Sequence, residues 1–117
     1  MLFIESTSFT KRIPDYISDE AYRELQSRLT SNPFAGQVMP GCAGLRKIRH
    51  GDPRRGKGRR GGIRIIYLHL PELSWIFLLD IYGKDEKDDL TVEEKKVLAG
   101  LAGKIKEEAR LRIKRGH

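Results

Sequence analysis

The hydrophobic residues of the N-terminal half follow first an extended and then a helical spacing. Residues 2–6 predict a short strand, and residues 7–13 predict one or two helical turns. Ser18 is followed by two acidic residues and then by apolar residues at every fourth position, as expected of an N-cap and one buried helix face. Asn32 and the proline after it end this helix, and the glycine-rich residues 34–44 predict a loop.

The second half of the chain changes to a strand pattern. Strands are predicted at Leu45–Arg49, Ile63–Leu70 and Ser74–Tyr82. Pro71–Leu73 forms a turn between the last two, so neighbouring strands should pair antiparallel as a meander. Because the longer strands are apolar on both faces, we expect helices to cover one side of the sheet.

A last helix is predicted to begin after Thr91, which together with Glu94 has the spacing of a capping box. Its apolar positions should be buried against the sheet: Val97, Leu98, Leu101, Ala102, Ile105 and Ala109. Residues 1–117 are therefore expected to form a single α+β domain, an antiparallel β-sheet meander with N-terminal helices and a C-terminal helix packed on it.

Composition sets limits on the function. The length of 117 residues is that of one domain. Cys42 is the only cysteine, so no disulfide framework is expected and a reducing, cytoplasmic location fits best. The three histidines lack the spacing of metal ligands, and we expect no metal and no cofactor. No apolar run is long enough to cross a bilayer, and no leader is evident, so no membrane partner is expected.

The positive charge of the chain is concentrated in one segment. Overall, 23 basic and 16 acidic side chains give a net charge of +7. Residues 45–64 alone hold nine basic side chains and one acidic one, a larger net charge than that of the whole protein. Such clustering is typical of a surface that binds a polyanion, although a solvated loop is the alternative interpretation.

Basic residues are predicted to converge from three neighbouring strands. Lys47 and Arg49 alternate onto one face of the first strand and Arg46 onto the other. Arg64 lies one residue into the second strand, and Lys84 follows the third. Arg46 is a candidate for RNA binding, and the glycine-rich segment between the first two strands adds five more: Arg54, Arg55, Lys57, Arg59 and Arg60.

These residue types can cleave RNA without a metal, because the 2′-hydroxyl of RNA supplies the nucleophile. A lysine crowded by other cations can serve as a general base, so Lys47 or Lys84 is the candidate base or acid. Arg49 and Arg64 are candidate phosphate clamps, and Tyr82 is a candidate platform for base stacking. The residues alone leave open whether this surface cleaves RNA or only binds phosphate.

Several segments resemble the RelE/HigB superfamily of bacterial toxins from type II toxin–antitoxin modules, and in particular its HigB-like branch. The resemblance rests on Gly44–Arg49, Gly56–Gly62, Ile63–Tyr67, Leu78–Lys84 and Asp88–Lys95, with support from Phe9, Asp19–Gln26 and Asn32–Pro33. It covers nearly the whole chain except the last twenty residues.

The resemblance implies a RelE-like fold that enters the ribosomal A site and cleaves translated mRNA. It also implies a cognate antitoxin, a HigA-like DNA-binding protein, with operator DNA bound only through the toxin–antitoxin complex. The basic positions of the RelE pattern match Lys47, Arg49, Arg64 and Lys84. That pattern has a tyrosine further along, where this chain has residues 88–90, Asp-Asp-Leu, so the resemblance offers Tyr82 as its substitute.

Two other hypotheses stay open at this point. The same fold could act as a ParE-like inhibitor of DNA gyrase or as a nucleic-acid-binding protein without catalysis. The chain could also be a basic ribosome-associated protein with no toxic activity. The abundance of cations on the expected active face favours the nuclease, because a gyrase inhibitor does not need them.

Overall fold

Within residues 1–52 and 62–115, which the computed structural model describes, the chain forms five strands and three α-helices. Short 3-10 helices at Ile13–Asp15 and Pro71–Leu73 join consecutive elements. The elements in chain order are β1 (Leu2–Glu5), α1 (Thr7–Arg12), α2 (Asp19–Ser31), β2 (Gln37–Val38), β3 (Arg46–His50), β4 (Ile63–Leu70), β5 (Trp75–Gly83) and α3 (Val92–Lys114).

Side-chain caps fix where each α-helix begins. The Oγ atoms of Ser6 and Ser18 each accept a hydrogen bond from the backbone N–H three residues on, at 3.0 and 3.2 Å. At α3, Thr91 Oγ1 accepts from the N–H of Glu94 at 3.1 Å, and Glu94 Oε1 accepts from the N–H of Thr91 at 2.8 Å. The predicted N-cap at Ser18 and the predicted capping box are therefore confirmed.

The strands form one sheet in the order β1-β5-β4-β3-β2. The antiparallel pairing of β3, β4 and β5 confirms the predicted meander. In contrast, β1 lies parallel to β5, with Leu2 opposite Trp75, so the sheet is mixed and not antiparallel throughout. The predicted loop at residues 34–44 also contributes β2, which adds two residues to the edge beside β3. The local sequence indicates that β1 is extended, but it does not identify β5, a strand far along the chain, as its partner.

Helices cover both faces of the sheet, whereas the sequence predicted helices on one side. Alternate residues of β4 face two separate cores. Ile65 and Tyr67 belong to the core that contains Leu25 of α2. Ile66 belongs to the core that contains Leu98 of α3. A strand buried on both faces carries no alternating pattern, and this is why β4 and β5 are apolar at nearly every position.

Only a narrow stripe of α3 is buried. Leu98, Ala102 and Ala109 pack on the sheet, but Val97 is 71% exposed and Leu101 39%, so the predicted burial of these two residues is wrong. The sheet lies on one side of the helix, and Val97 and Leu101 project away from the core that Leu98 and Ala102 join. No helix in the described part of the chain combines the length and apolar character that crossing a bilayer requires.

A buried tyrosine fixes the segment that leads into β2. The Tyr67 hydroxyl donates to the carbonyl of Pro33 at 2.7 Å and accepts from the N–H of Gly36 at 2.9 Å. A Cβ atom at Gly36 would lie 2.7 Å from the Tyr67 ring, so only glycine allows this approach. The segment beside β3 is thereby held against the sheet, and it lines one side of the site described next.

Candidate functional site

The register of the meander places basic side chains from two strands on one face. Arg49 of β3 is directly opposite Arg64 of β4, which is in turn opposite Tyr82 of β5. Residues paired in this way project to the same face, and neighbouring strands lie about 4.8 Å apart. Lys47, two residues before Arg49, shares that face. The structure therefore brings together Lys47, Arg49 and Arg64 as their alternation predicts.

The two arginines differ strongly in their surroundings. Arg64 is only 4% exposed, whereas Arg49 is exposed to solvent. Like charges placed directly opposite each other across a strand pair destabilise a sheet. A pair of this kind is suited to binding an anion, because an anion bound between the two guanidinium groups would relieve their repulsion.

Lys84 follows β5 at the same end of the sheet. Its backbone N–H donates to the carbonyl of Gly62 at 3.2 Å, next to the pair formed by Ile63 and Gly83. The side chain is exposed. Lys84 therefore follows the end of β5 that pairs with the start of β4, where Arg64 lies. The predicted RNA contacts Arg54, Arg55, Lys57, Arg59 and Arg60 lie outside the described residues.

Lys47 is held by a carboxylate that sequence reasoning did not assign to the site. Lys47 Nζ lies 3.2 Å from Asp89 Oδ1, and Lys95 Nζ lies 2.9 Å from Asp89 Oδ2. The Leu90 N–H also donates to Asp89 Oδ1, at 2.8 Å. The hydrogen bond from Lys95, together with those from Leu90 and Lys47, lowers the pKa of Asp89 from 3.8 to about 2, against the opposing effect of burial.

Tyr82 is fully buried, so no face of its ring is available for a base to stack on. Lys87 Nζ lies 5.5 Å from the ring centroid. The hydroxyl has no hydrogen-bond partner among the described residues. Burial, and after it the negative charge of Asp89, raises the pKa of Tyr82 to about 12. The predicted stacking platform therefore has to be corrected, because β5 runs through the centre of the sheet and α3 covers this face.

Arg46 lies apart from the other cations, on the opposite face of β3. Its Nη1 donates to the carbonyl of Gly36 at 2.7 Å and to that of Phe34 at 3.3 Å. Its guanidinium carbon lies 5.1 Å from the centroid of the Phe34 ring. These contacts fasten the segment before β2, and the contact of Arg46 with RNA stays a prediction.

The two described histidines, His50 and His69, both contact other residues of the protein. His50 is buried, with Nε2 3.0 Å from the carbonyl of Ala21, and the ring of His69 meets Phe34 edge-on. Within residues 1–52 and 62–115, no three His, Cys, Asp or Glu side chains come close enough to hold a metal ion.

No protein-family model matches the chain.

Proposed function

We propose that this protein is a RelE/HigB-like toxin, a ribosome-dependent endonuclease that cleaves translated mRNA with a cluster of lysine and arginine side chains. The observation that carries the proposal is the register of β3 and β4, which opposes Arg49 and Arg64 on the face that also holds Lys47. An exposed guanidinium group, that of Arg49, and a buried one, that of Arg64, thus lie side by side, and guanidinium groups bind phosphate in a bidentate manner.

The chemistry needs three kinds of group around one phosphate. A base takes the proton of the RNA 2′-hydroxyl, whose oxygen then attacks phosphorus, while an acid gives a proton to the departing 5′-oxygen. Cations stabilise the charge that develops on the phosphorane oxygens. The products are a 2′,3′-cyclic phosphate and a free 5′-hydroxyl, so no redox change and no water molecule is required.

The described residues supply candidates for each role. Burial on a central strand fixes the orientation of Arg64, as transition-state stabilisation requires. Arg49 is accessible to the substrate as a second clamp. Lys47 and Lys84 are the candidates for base and acid, and Lys47 Nζ lies 3.2 Å from Asp89 Oδ1.

The resemblance supplies the partners in this proposal. The substrate is mRNA in the ribosomal A site, and a HigA-like antitoxin neutralises the toxin by covering the cationic face or by blocking entry to the ribosome. DNA is bound only through the antitoxin. The site of action is the cytoplasm.

The deciding experiment is induced expression followed by mapping of transcript 5′ ends. We expect cuts in phase with codons and only in translated regions. Cleavage in a translating extract should be lost in Arg49→Ala. Arg23→Ala is the matched control, because Arg23 is an exposed arginine on α2, away from the sheet face. The thermal unfolding of both variants shows whether a loss of activity reflects loss of the fold.

Other outcomes would replace the proposal. Poisoning of DNA gyrase with intact mRNA would identify a ParE-like inhibitor. Absence of growth arrest, with ribosome binding retained, would identify a basic ribosome-associated protein. Cleavage that persists in Arg49→Ala and in Lys47→Ala combined with Lys84→Ala would refute the assigned chemistry.

A further inference from the structure

Lys95 of α3 lies close to Lys47 although the two lysines belong to different elements. Both ammonium groups contact the same carboxylate, that of Asp89, at 2.9 and 3.2 Å. We propose that Lys95, beside Lys47, binds the phosphate next to the scissile one on the RNA strand, and that Asp89 occupies this site until that phosphate displaces it. This inference rests on the proposed function and extends it to a residue outside the catalytic cluster.

The position of Lys95 is unusual for a lysine. It is the fourth residue of α3, near the helix N-terminus, where the helix dipole disfavours a cation and favours an anion. Its ammonium group also approaches that of Lys47, through the shared carboxylate. Two cations held together against repulsion need an anion between them. Asp89 supplies that anion in the free protein.

The Asp89 carboxylate is placed so that a ligand can displace it from the two lysines. Its side chain is 46% exposed, and it lies in the connection between β5 and α3, outside both elements. Two ammonium donors and one backbone N–H surround its oxygens. The non-bridging oxygens of a phosphodiester can accept the same hydrogen bonds, so an exchange of carboxylate for phosphate leaves the donors satisfied.

The surroundings of the ion pair have room for a ligand. A cleft of about 150 Å³ opens beside it, between the segment 37–42 and the start of α3. Gln37 contributes a further polar side chain to its lining. Lys47 is two residues from Arg49, about 7 Å along β3. Lys47 therefore lines the cleft and also shares its face of β3 with Arg49. An extended RNA strand with its scissile phosphate at Arg49 and Lys47 can place the neighbouring phosphate at Lys95.

The test measures binding of the full chain to a fluorescein-labelled 2′-O-methyl RNA dodecamer, which lacks the nucleophile and cannot be cleaved. Fluorescence anisotropy is recorded between 50 and 300 mM NaCl. Asp89→Asn is compared with Asp88→Asn, a neighbouring exposed carboxylate with no ion pair in the described part of the chain. Lys95→Gln is compared with Lys96→Gln, the adjacent exposed lysine, whose contact with Glu93 is a weak 3.9 Å.

We expect Asp89→Asn to tighten RNA binding about fivefold, because the competing carboxylate is gone, and Asp88→Asn to tighten it less than twofold. Lys95→Gln should weaken binding and reduce the slope of log K against log salt by about 0.7, the value for one lost phosphate contact on a single strand. Lys96→Gln should leave that slope unchanged.

Each contrary result overturns the inference. If Asp89→Asn and Asp88→Asn bind RNA equally, Asp89 does not occupy the site. If Lys95→Gln keeps the wild-type salt slope, Lys95 does not touch phosphate. Because the readout is binding of an uncleavable oligonucleotide, the result does not depend on whether the protein cleaves mRNA, and the two proposals can fail separately.

Discussion

Replacing Arg49 by glutamine should make the protein more stable and inactive at the same time. Arg49 and Arg64 are directly opposite on neighbouring strands, where Cβ atoms are about 5 Å apart and opposed like charges cost about 0.2–1 kcal/mol. Because Arg49 is exposed and solvent screens its charge, we expect the lower half of this range, about 0.5 kcal/mol. That corresponds to a rise of roughly 2 °C in Tm for a domain of this size. Arg49→Gln should also abolish mRNA cleavage.

The assay is urea unfolding at 50 and 500 mM NaCl, combined with cleavage in a translating extract. The gain in stability should shrink at the higher salt, because the screening length falls to about 4 Å. Arg23→Gln removes the same charge from α2, where Asp19 and Glu20 lie one turn away, and should not raise stability. If Arg49→Gln lowers the free energy of unfolding at 50 mM NaCl, the opposed arginines are not strained and the main argument for an anion site is lost.

Three further predictions concern stability, each measured by urea unfolding. Tyr67→Phe should lower the free energy of unfolding by about 1–3 kcal/mol, because it leaves the buried N–H of Gly36 without its acceptor. Gly100→Ala should raise it by about 0.5–1 kcal/mol, since an added Cβ meets nothing within 4 Å and alanine favours the helix; a decrease would contradict this. Asp89 has a pKa lowered to about 2, so its stabilising contribution is present above about pH 4 and lost as the pH falls through 2. Asp89→Asn should therefore be less stable than wild type at pH 6 and approach it at pH 2, and a constant difference would show that ionisation plays no part.

Signals between residues close in the chain were enough to predict most elements. The caps at Ser18 and Thr91 fix helix starts by contacts spanning three residues, and such contacts can be read from the sequence. The parallel partner of β1 could not be predicted, because pairing of Leu2 with Trp75 depends on the path of the intervening chain. The exposure of Val97 depends on which side of α3 meets the sheet, and its own spacing does not reveal that.

The same distinction holds for the site: features set by neighbouring residues were predictable, and features set by the fold were not. The alternation of Lys47 and Arg49 along β3 needs only the geometry of one strand, so their common face was predictable. Tyr82 was placed correctly in β5, but its burial follows from the packing of α3 over that face. Asp89 lies just before the start of α3, where the helix dipole favours an acidic residue. Its charge therefore gave no reason to assign it to the site. Its contact with Lys47 joins residues 42 positions apart and became visible only in the fold.

The fold offsets the repulsion within its cationic face in two ways, one at the opposed arginines and one at the two lysines that share Asp89. Arg64 is built into a central strand, where the burial of its apolar neighbours on both faces outweighs the repulsion from Arg49. Lys47 lies nearer the edge, with only the two-residue β2 beyond it, and there a carboxylate from the chain neutralises the charge. At the edge, by contrast, Lys47 and Lys95 share the carboxylate of Asp89, so a ligand has to bind these two lysines more strongly than Asp89 does.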